Sequence, residues 1–219
     1  MSEPTSAGFT PAAFHEQPGV ADWRVTSWGP QACFSSSSLG HAAQLIPVVV
    51  RASEEFEVQP DVDLRPEAIV IRIHYRGGEL IQAGGPAFAA AVSSAAGELG
   101  LAPAPDLIST VDISVAQHSD VDSRPFWNAA LNYRDYWDSD SIDPLRRGPQ
   151  LSFQPIDRSS RGRTHIDVSV PAPYAQARVD AALAAGGRLV DDSRAPAWWT
   201  LASPDNHGID IASWTDTHG

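Results

Sequence analysis

The sequence predicts an α+β protein of two domains, the second built from two copies of one unit. Three features carry that prediction. The first half reads as strand, strand, helix, strand, helix. A stretch with two prolines, Gly100-Leu101-Ala102-Pro103-Ala104-Pro105, breaks the pattern near the middle. Beyond it, a short alternating segment recurs about 55 residues later, Val111 to Val115 being answered by Ile166 to Val170.

The first 18 or so residues read as a loose arm. Trp23 to Trp28 and Ala32 to Ser35 read as short strands. Leu39, Ala42, Ala43, Ile46, Val49 and Val50 recur at helical spacing, and Pro47 inside that run predicts a kink. Ile69, Ile71 and Ile73 alternate with Val70, Arg72 and His74, which predicts a strand with one apolar face. Gly77-Gly78 marks a turn. Pro86 in a first turn, Phe88, Val92, Ala95 and Leu99 on one face, and Gly100 as a stop predict the second helix. The first domain is placed at residues 19–101 and the second at 106–214.

In the second half, each alternating segment leads into a helix candidate, residues 123–131 and 174–185. Tyr133 to Trp137 is matched by Arg188 to Asp191, and Leu151 to Gln154 by Ile209 to Ala212. Two copies are too few for a solenoid. A closed pair of β-α-β-β-β modules is the natural alternative, with the third strand of the first copy poorly marked.

Bulk properties narrow the function. The net charge is −12, with no basic footprint for nucleic acid. No apolar run reaches 18 residues, so no membrane span is expected. Cys33 is the only cysteine, which excludes an internal disulfide and fits a cytoplasmic location. All 15 basic residues are arginines, so chemistry that needs a lysine is absent. No G-x-G-x-x-G spacing or nucleophile-elbow frame occurs. Asp138, Asp140 and Asp143 read as a solvated acidic loop.

The repeat resembles the vicinal-oxygen-chelate, or glyoxalase-like, superfamily. Asp120-Val121-Asp122 with Phe126-Trp127 and Leu131-Asn132-Tyr133 is similar to its helix entry. Thr164-His165-Ile166-Asp167-Val168 is similar to the opening strand of its second module, and Trp198 to His207 to its closing hairpin. The resemblance implies a curved sheet with a cup between the modules. In metal-dependent members the cup holds one divalent ion on residues of the first and last strand of each module. Carried over, those positions are Thr110, Gln150 or Ser152, His165 and Asp210. Only His165 and Asp210 ligate well, and three protein ligands are usual for a catalytic site. The expectation is therefore an apolar cup without a metal cofactor. There an organic ligand is oriented by these groups and by Trp198; the alternative is a metal-dependent enzyme of lyase or dioxygenase type, with any divalent ion held weakly on His165 and Asp210.

The first half is similar to pterin-4a-carbinolamine dehydratase. Glu54-Glu55-Phe56-Glu57-Val58-Gln59-Pro60-Asp61 stands where that family has E-x-x-x-H-H-P-D/E, and Ile73-His74-Tyr75-Arg76-Gly77-Gly78 where it has T-H-D-x-G-G. The remnant of the pocket is Glu54, Gln59, Asp61 and His74. Val58 and Gln59 replace both adjacent histidines, and an acid-base site without them loses its main proton carriers. A non-catalytic domain is expected, with a residual 4a-hydroxytetrahydrobiopterin dehydratase as the alternative. Single domains of both kinds often pair, so the expected partners are a small molecule and a second copy of the chain.

Overall fold

The computed structural model describes residues 8–75, 80–118, 122, 124–131, 133–156, 164–202 and 208–214. The chain is mixed α+β and divides into two compact units. One holds the described residues up to Ile108 together with Trp214, and the other is Ser109–Ser213.

The first unit begins with helix α1 (Pro11–His15), capped by the Thr10 side chain on the amide of Ala13. Strands β1 (Trp23–Thr26) and β2 (Gly29–Ser35) form a hairpin. Helices α2 (Leu39–Ala43) and α3 (Ile46–Glu55) follow, then β3 (Pro60–Leu64), β4 (Ala68–Ile73) and α4 (Gly85–Glu98). A short β5 (Ala102–Pro103) adds to β2. The sheet runs β1-β2-β4-β3 and is antiparallel throughout. One face of β4, Ile69, Ile71 and Ile73, is buried with Phe34, Trp23 and the inner face of α4, Phe88 and Val92. The Trp23 indole N–H donates to the carbonyl of Ala89 at 3.1 Å, so its polar edge is satisfied inside this core.

Three expectations for this unit are corrected. The loose arm does not extend to residue 18. Phe14 is fully buried, and Phe9 pairs with Ile81 in an isolated bridge. Pro47 does not kink one helix. It lies in the first turn of α3, where its missing N–H costs nothing, and α2 has already ended at Ala43. The order β-β-α-β-α lacks β3, an edge strand whose exposed Asp63 and half-exposed Asp61 gave it a loop-like composition. The proline stretch is structured as well. After β5 comes a 3-10 turn (Pro105–Leu107), and Ala104 and Ile108 pack on Cys33. Gly77-Gly78 lies outside the described residues.

The second unit has two β-α-β-β-β modules. The first is β6 (Thr110–His118), α5 (Arg124–Leu131), β7 (Arg134–Tyr136), β8 (Asp140–Ile142) and β9 (Gln150–Ile156). The second is β10 (Thr164–Val170), α6 (Ala172–Ala184), β11 (Arg188–Asp191), β12 (Trp198–Ala202) and β13 (Gly208–Ser213). They join in one eight-stranded sheet, β11-β12-β13-β10-β6-β9-β8-β7. The first strands of the two modules, β6 and β10, pair antiparallel at its centre, with Asp112 opposite Asp167. Those two residues are also 55 apart, so each is the other's counterpart in the repeat.

Strand side chains alternate between faces, and residues directly opposite share a face. One face carries Val115, Leu151 and Phe153, which pack with Trp127 of α5. It also carries Val170, Trp199, Leu201 and Ile211, which pack with Ala175 and Val179 of α6. The other face carries most of the polar residues of the central strands, together with Trp198 and a few alanines. The third strand of the first module, unmarked in the sequence, is β8. Asp140 is therefore not in a solvated loop: it is paired opposite Ser152 and is 9% exposed. Asp143 does lie in a turn, where it accepts the amides of Leu145, Arg147 and Gly148.

Candidate metal and ligand site

Two adjacent rows of the polar face can be read from the register. One runs Thr200, Asp210, Asp167, Asp112, Gln150 across β12, β13, β10, β6 and β9. The next runs Gly208, His165, Ser114, Ser152, Asp140 across β13, β10, β6, β9 and β8. The sheet face that the resemblance makes the lining of a cup is thus polar and acidic, where an apolar one was expected. The apolar set of each strand is used on the opposite face, under the helices.

His165, Asp167 and Asp210 converge where the rows meet, each offering one ligand atom, with all of these atoms within 4.8 Å of one another. His165 Nε2 lies 3.2 Å from Asp210 Oδ1, and His165 Nδ1 lies 3.6 Å from Asp167 Oδ1. The ring can lean across β13 because the residue beneath it is Gly208. A Cβ there would stand 3.0 Å from the ring Cδ2. His165 Nε2, Asp167 Oδ1 and Asp210 Oδ1 are shut off from solvent, and none makes a hydrogen bond of acceptable geometry. The 3.2 Å approach is an ion-pair contact with poor hydrogen-bond alignment.

The electrostatics follow from this enclosure. Asp210, at that contact, is the main influence raising the His165 imidazole above its usual range. Burial opposes it, and Asp167 adds to it. Burial raises the Asp167 carboxyl, opposed by the Ser114 hydroxyl and His165. Burial likewise raises Asp140, opposed by hydrogen bonds from Ser139 and Gln150 and by the charge of Arg124.

His165 and Asp210 are therefore brought together. Thr110 is 7% exposed and sits opposite Ser169 at the start of β6, whereas Ser114 is at its middle, opposite His165. Gln150 donates to Asp140 at 2.6 Å, and Ser152 shares a hydrogen bond with Ser114. Trp198 shares the polar face, opposite Ala212, with the Arg194 guanidinium 5.4 Å from its ring centre. Trp199 points the other way into the core. The residues that sequence reasoning missed are Asp167, Ser114 and Asp140. A signal for Asp167 was present, because His-x-Asp on a strand puts both side chains on one face.

In the first unit, Asp61 forms an ion pair with Arg72 at 3.0 Å, and His74 Nδ1 lies 2.6 Å from the carbonyl of Tyr75. Glu54 and Gln59 are exposed, and Val58 is a core residue at 2% exposure. Among the described residues, the only group with metal-ligand spacing is His165, Asp167 and Asp210.

Residues 112–212 match a family model described as a glyoxalase-like domain. That match covers the second unit alone and lends no support to the dehydratase resemblance of the first. One similar solved structure is a glyoxalase/bleomycin resistance protein/dioxygenase superfamily member from Vibrio splendidus 12B01. It is 14% identical, with 48% of this chain and 99% of that one covered, at a TM-score of 0.34. Another is described as an NAD-dependent benzaldehyde dehydrogenase from Legionella pneumophila. It is 13% identical, with 49% and 100% covered, also at 0.34. No curated protein matches the chain. No described helix is long and apolar enough to cross a membrane.

Proposed function

We propose that the glyoxalase-like domain binds a divalent metal ion on His165, Asp167 and Asp210, and that it binds a polar, oxygen-bearing small molecule beside that ion. The observation that carries this reading is the convergence of the three ligand atoms within 4.8 Å. The expectation of a metal-free cup rested on two ligands, and Asp167 supplies a third.

The donor set fits such an ion. One imidazole and two carboxylates make a mixed nitrogen and oxygen site suited to zinc, manganese or iron. Two carboxylate charges offset the cost of removing water from a dication. The three orphaned atoms gain the partner they lack. When bound, the ion supplies a Lewis-acid charge at which two neighbouring oxygens of a ligand can be held. His165 must give up its proton to ligate, so ion affinity falls as pH falls through its raised range. Thr200 and Asp112, in the row of Asp167 and Asp210, offer hydrogen bonds to a ligand lying along the sheet. Trp198 offers a flat wall at the edge of the same face. This composition fits an oxygenated, hydrogen-bonding molecule better than an apolar one.

The reading is tested by thermal shift with a bidentate oxygen ligand such as acetohydroxamate, with and without Mn²⁺. The expected result is stabilisation by the ligand only when Mn²⁺ is present. A ligand at a hundred times its Kd adds about 2.7 kcal/mol. Equal stabilisation without metal would favour the second reading, a metal-free binding cup. The pairing of Arg194 with Trp198 on the sheet supports that second reading, as a platform for an aromatic or anionic group.

For the first unit we propose a non-catalytic domain. Val58, at the place of the first family histidine, lies in the core, and Asp61 is engaged by Arg72.

A further inference from the structure

One hydroxyl on β6 is enclosed by the site. Ser114 is 2% exposed. Its Oγ lies 2.8 Å from Asp167 Oδ2, 2.8 Å from Ser152 Oγ and 3.3 Å from Gln154 Nε2. A serine hydroxyl has one proton and two lone pairs. A carboxylate that ligates an ion is deprotonated and can only accept, so the Ser114 proton goes to Asp167. Both lone pairs are then filled, by the hydroxyl of Ser152 and the amide of Gln154. The direction of the chain is thereby fixed, with Ser152 donating to Ser114 and Ser114 to Asp167.

The consequence falls on the carboxylate. The terminal torsion of an aspartate is soft and roughly two-fold. Ser114 engages Oδ2 and leaves Oδ1 on the side of His165, whose Nδ1 is 3.6 Å away. We infer that Ser114 is a positioning residue: the first module, which gives no ligand to the triad, orients the Asp167 ligand of the second module through Ser114, Ser152 and Gln154. The inference rests on the metal reading above. It adds a division of labour between the modules, one ligating and one orienting.

The experiment is calorimetric titration of the full chain with Co²⁺, alongside the visible spectrum of the bound ion. Loss of a group that orients a metal ligand typically lowers affinity about 10–100-fold. Ser114→Ala is expected to do so and to change the d–d bands. Ser114→Thr keeps the hydroxyl and is expected to restore both. Ser152→Ala should give a smaller loss. The double variant Ser114→Ala/Ser152→Ala should bind no more weakly than Ser114→Ala, because Ser152 acts only through Ser114. If Ser114→Ala does not fold, Ser152→Ala and Gln154→Ala carry the test, since Gln154 is exposed and Ser152 only half-buried. Each should then weaken Co²⁺ binding. Wild-type affinity and spectrum in Ser114→Ala, or in both substitute variants, would overturn this inference alone. A wild-type protein that binds no Co²⁺ would overturn the metal reading and this inference with it.

Discussion

Replacing Gly208 by alanine tests the site where it is most tightly fitted. The glycine sits opposite His165 in the parallel β10–β13 pair, with no positive φ that would forbid a side chain. A Cβ there lies 3.0 Å from His165 Cδ2 and 3.5 Å from Nε2, whereas ordinary contact begins near 3.4 Å. The ring must therefore give by about 0.4 Å, against metal–ligand distances that hold to about 0.2 Å. The backbone effect has the opposite sign. Gly208 is the first residue of β13, so replacing it gains less than the roughly 0.5–1 kcal/mol of a strand-interior glycine. The expected outcome is a fold as stable as wild type or slightly more so, with divalent-ion affinity reduced about 10-fold or more. Calorimetric titration with Co²⁺ and a thermal melt of the metal-free protein read the two effects separately. Unchanged affinity with wild-type stability would refute the claim that the ring's place over Gly208 matters to the site.

Asp140→Asn addresses the buried carboxyl of β8. Its folded-state value is raised above 3.8, so the fold holds this proton more tightly than the unfolded chain does. The wild type should lose stability as pH rises from about 3.8 through the raised range. The variant should lack that component, matching or exceeding wild type at pH 7. Denaturant melts across pH check it, and parallel curves for the two proteins would count against the burial argument. Ile211→Ala, in the core between α6 and the sheet, should destabilise the second unit by about 2–5 kcal/mol, read from its unfolding transition. A loss below about 1 kcal/mol would mean that this core is not packed as described.

Much of the second unit was legible because its two signals are local. Val111 to Val115 and Ile166 to Val170 alternate, and their offset of 55 residues announces the repeat. The observed β6 and β10 contain both segments, and α5 and α6 lie within two residues of their expected ends. What failed were features set by long-range pairing. β8 is three residues of Asp, Ser and Ile, and only its pairing with β7 and β9 makes it a strand. β3 carries two aspartates because it is an edge, with β4 on one side only. Phe14 is a lone aromatic in a five-residue helix, too short to show a period.

The site shows the same division. His165 and Asp210 could be placed by resemblance, and the polarity of the cup could not. Alternation puts Thr110, Asp112 and Ser114 on one face, but which side chains they meet there is set only once β6 lies between β10 and β9. Asp167 was hidden in plain alternation, read as the polar half of a strand whose apolar half lies under the helices. Its meeting with Asp210 depends on the parallel register with β13, which no spacing in the sequence encodes.

The most direct measurement is the Co²⁺ or Mn²⁺ content of the full chain after equilibrium dialysis, for wild type and for Asp167→Ala, the ligand that resemblance did not supply. The expected result is one ion per wild-type chain and none retained by Asp167→Ala, with the variant still folded. No ion in the wild type, or one ion in both proteins, would contradict it.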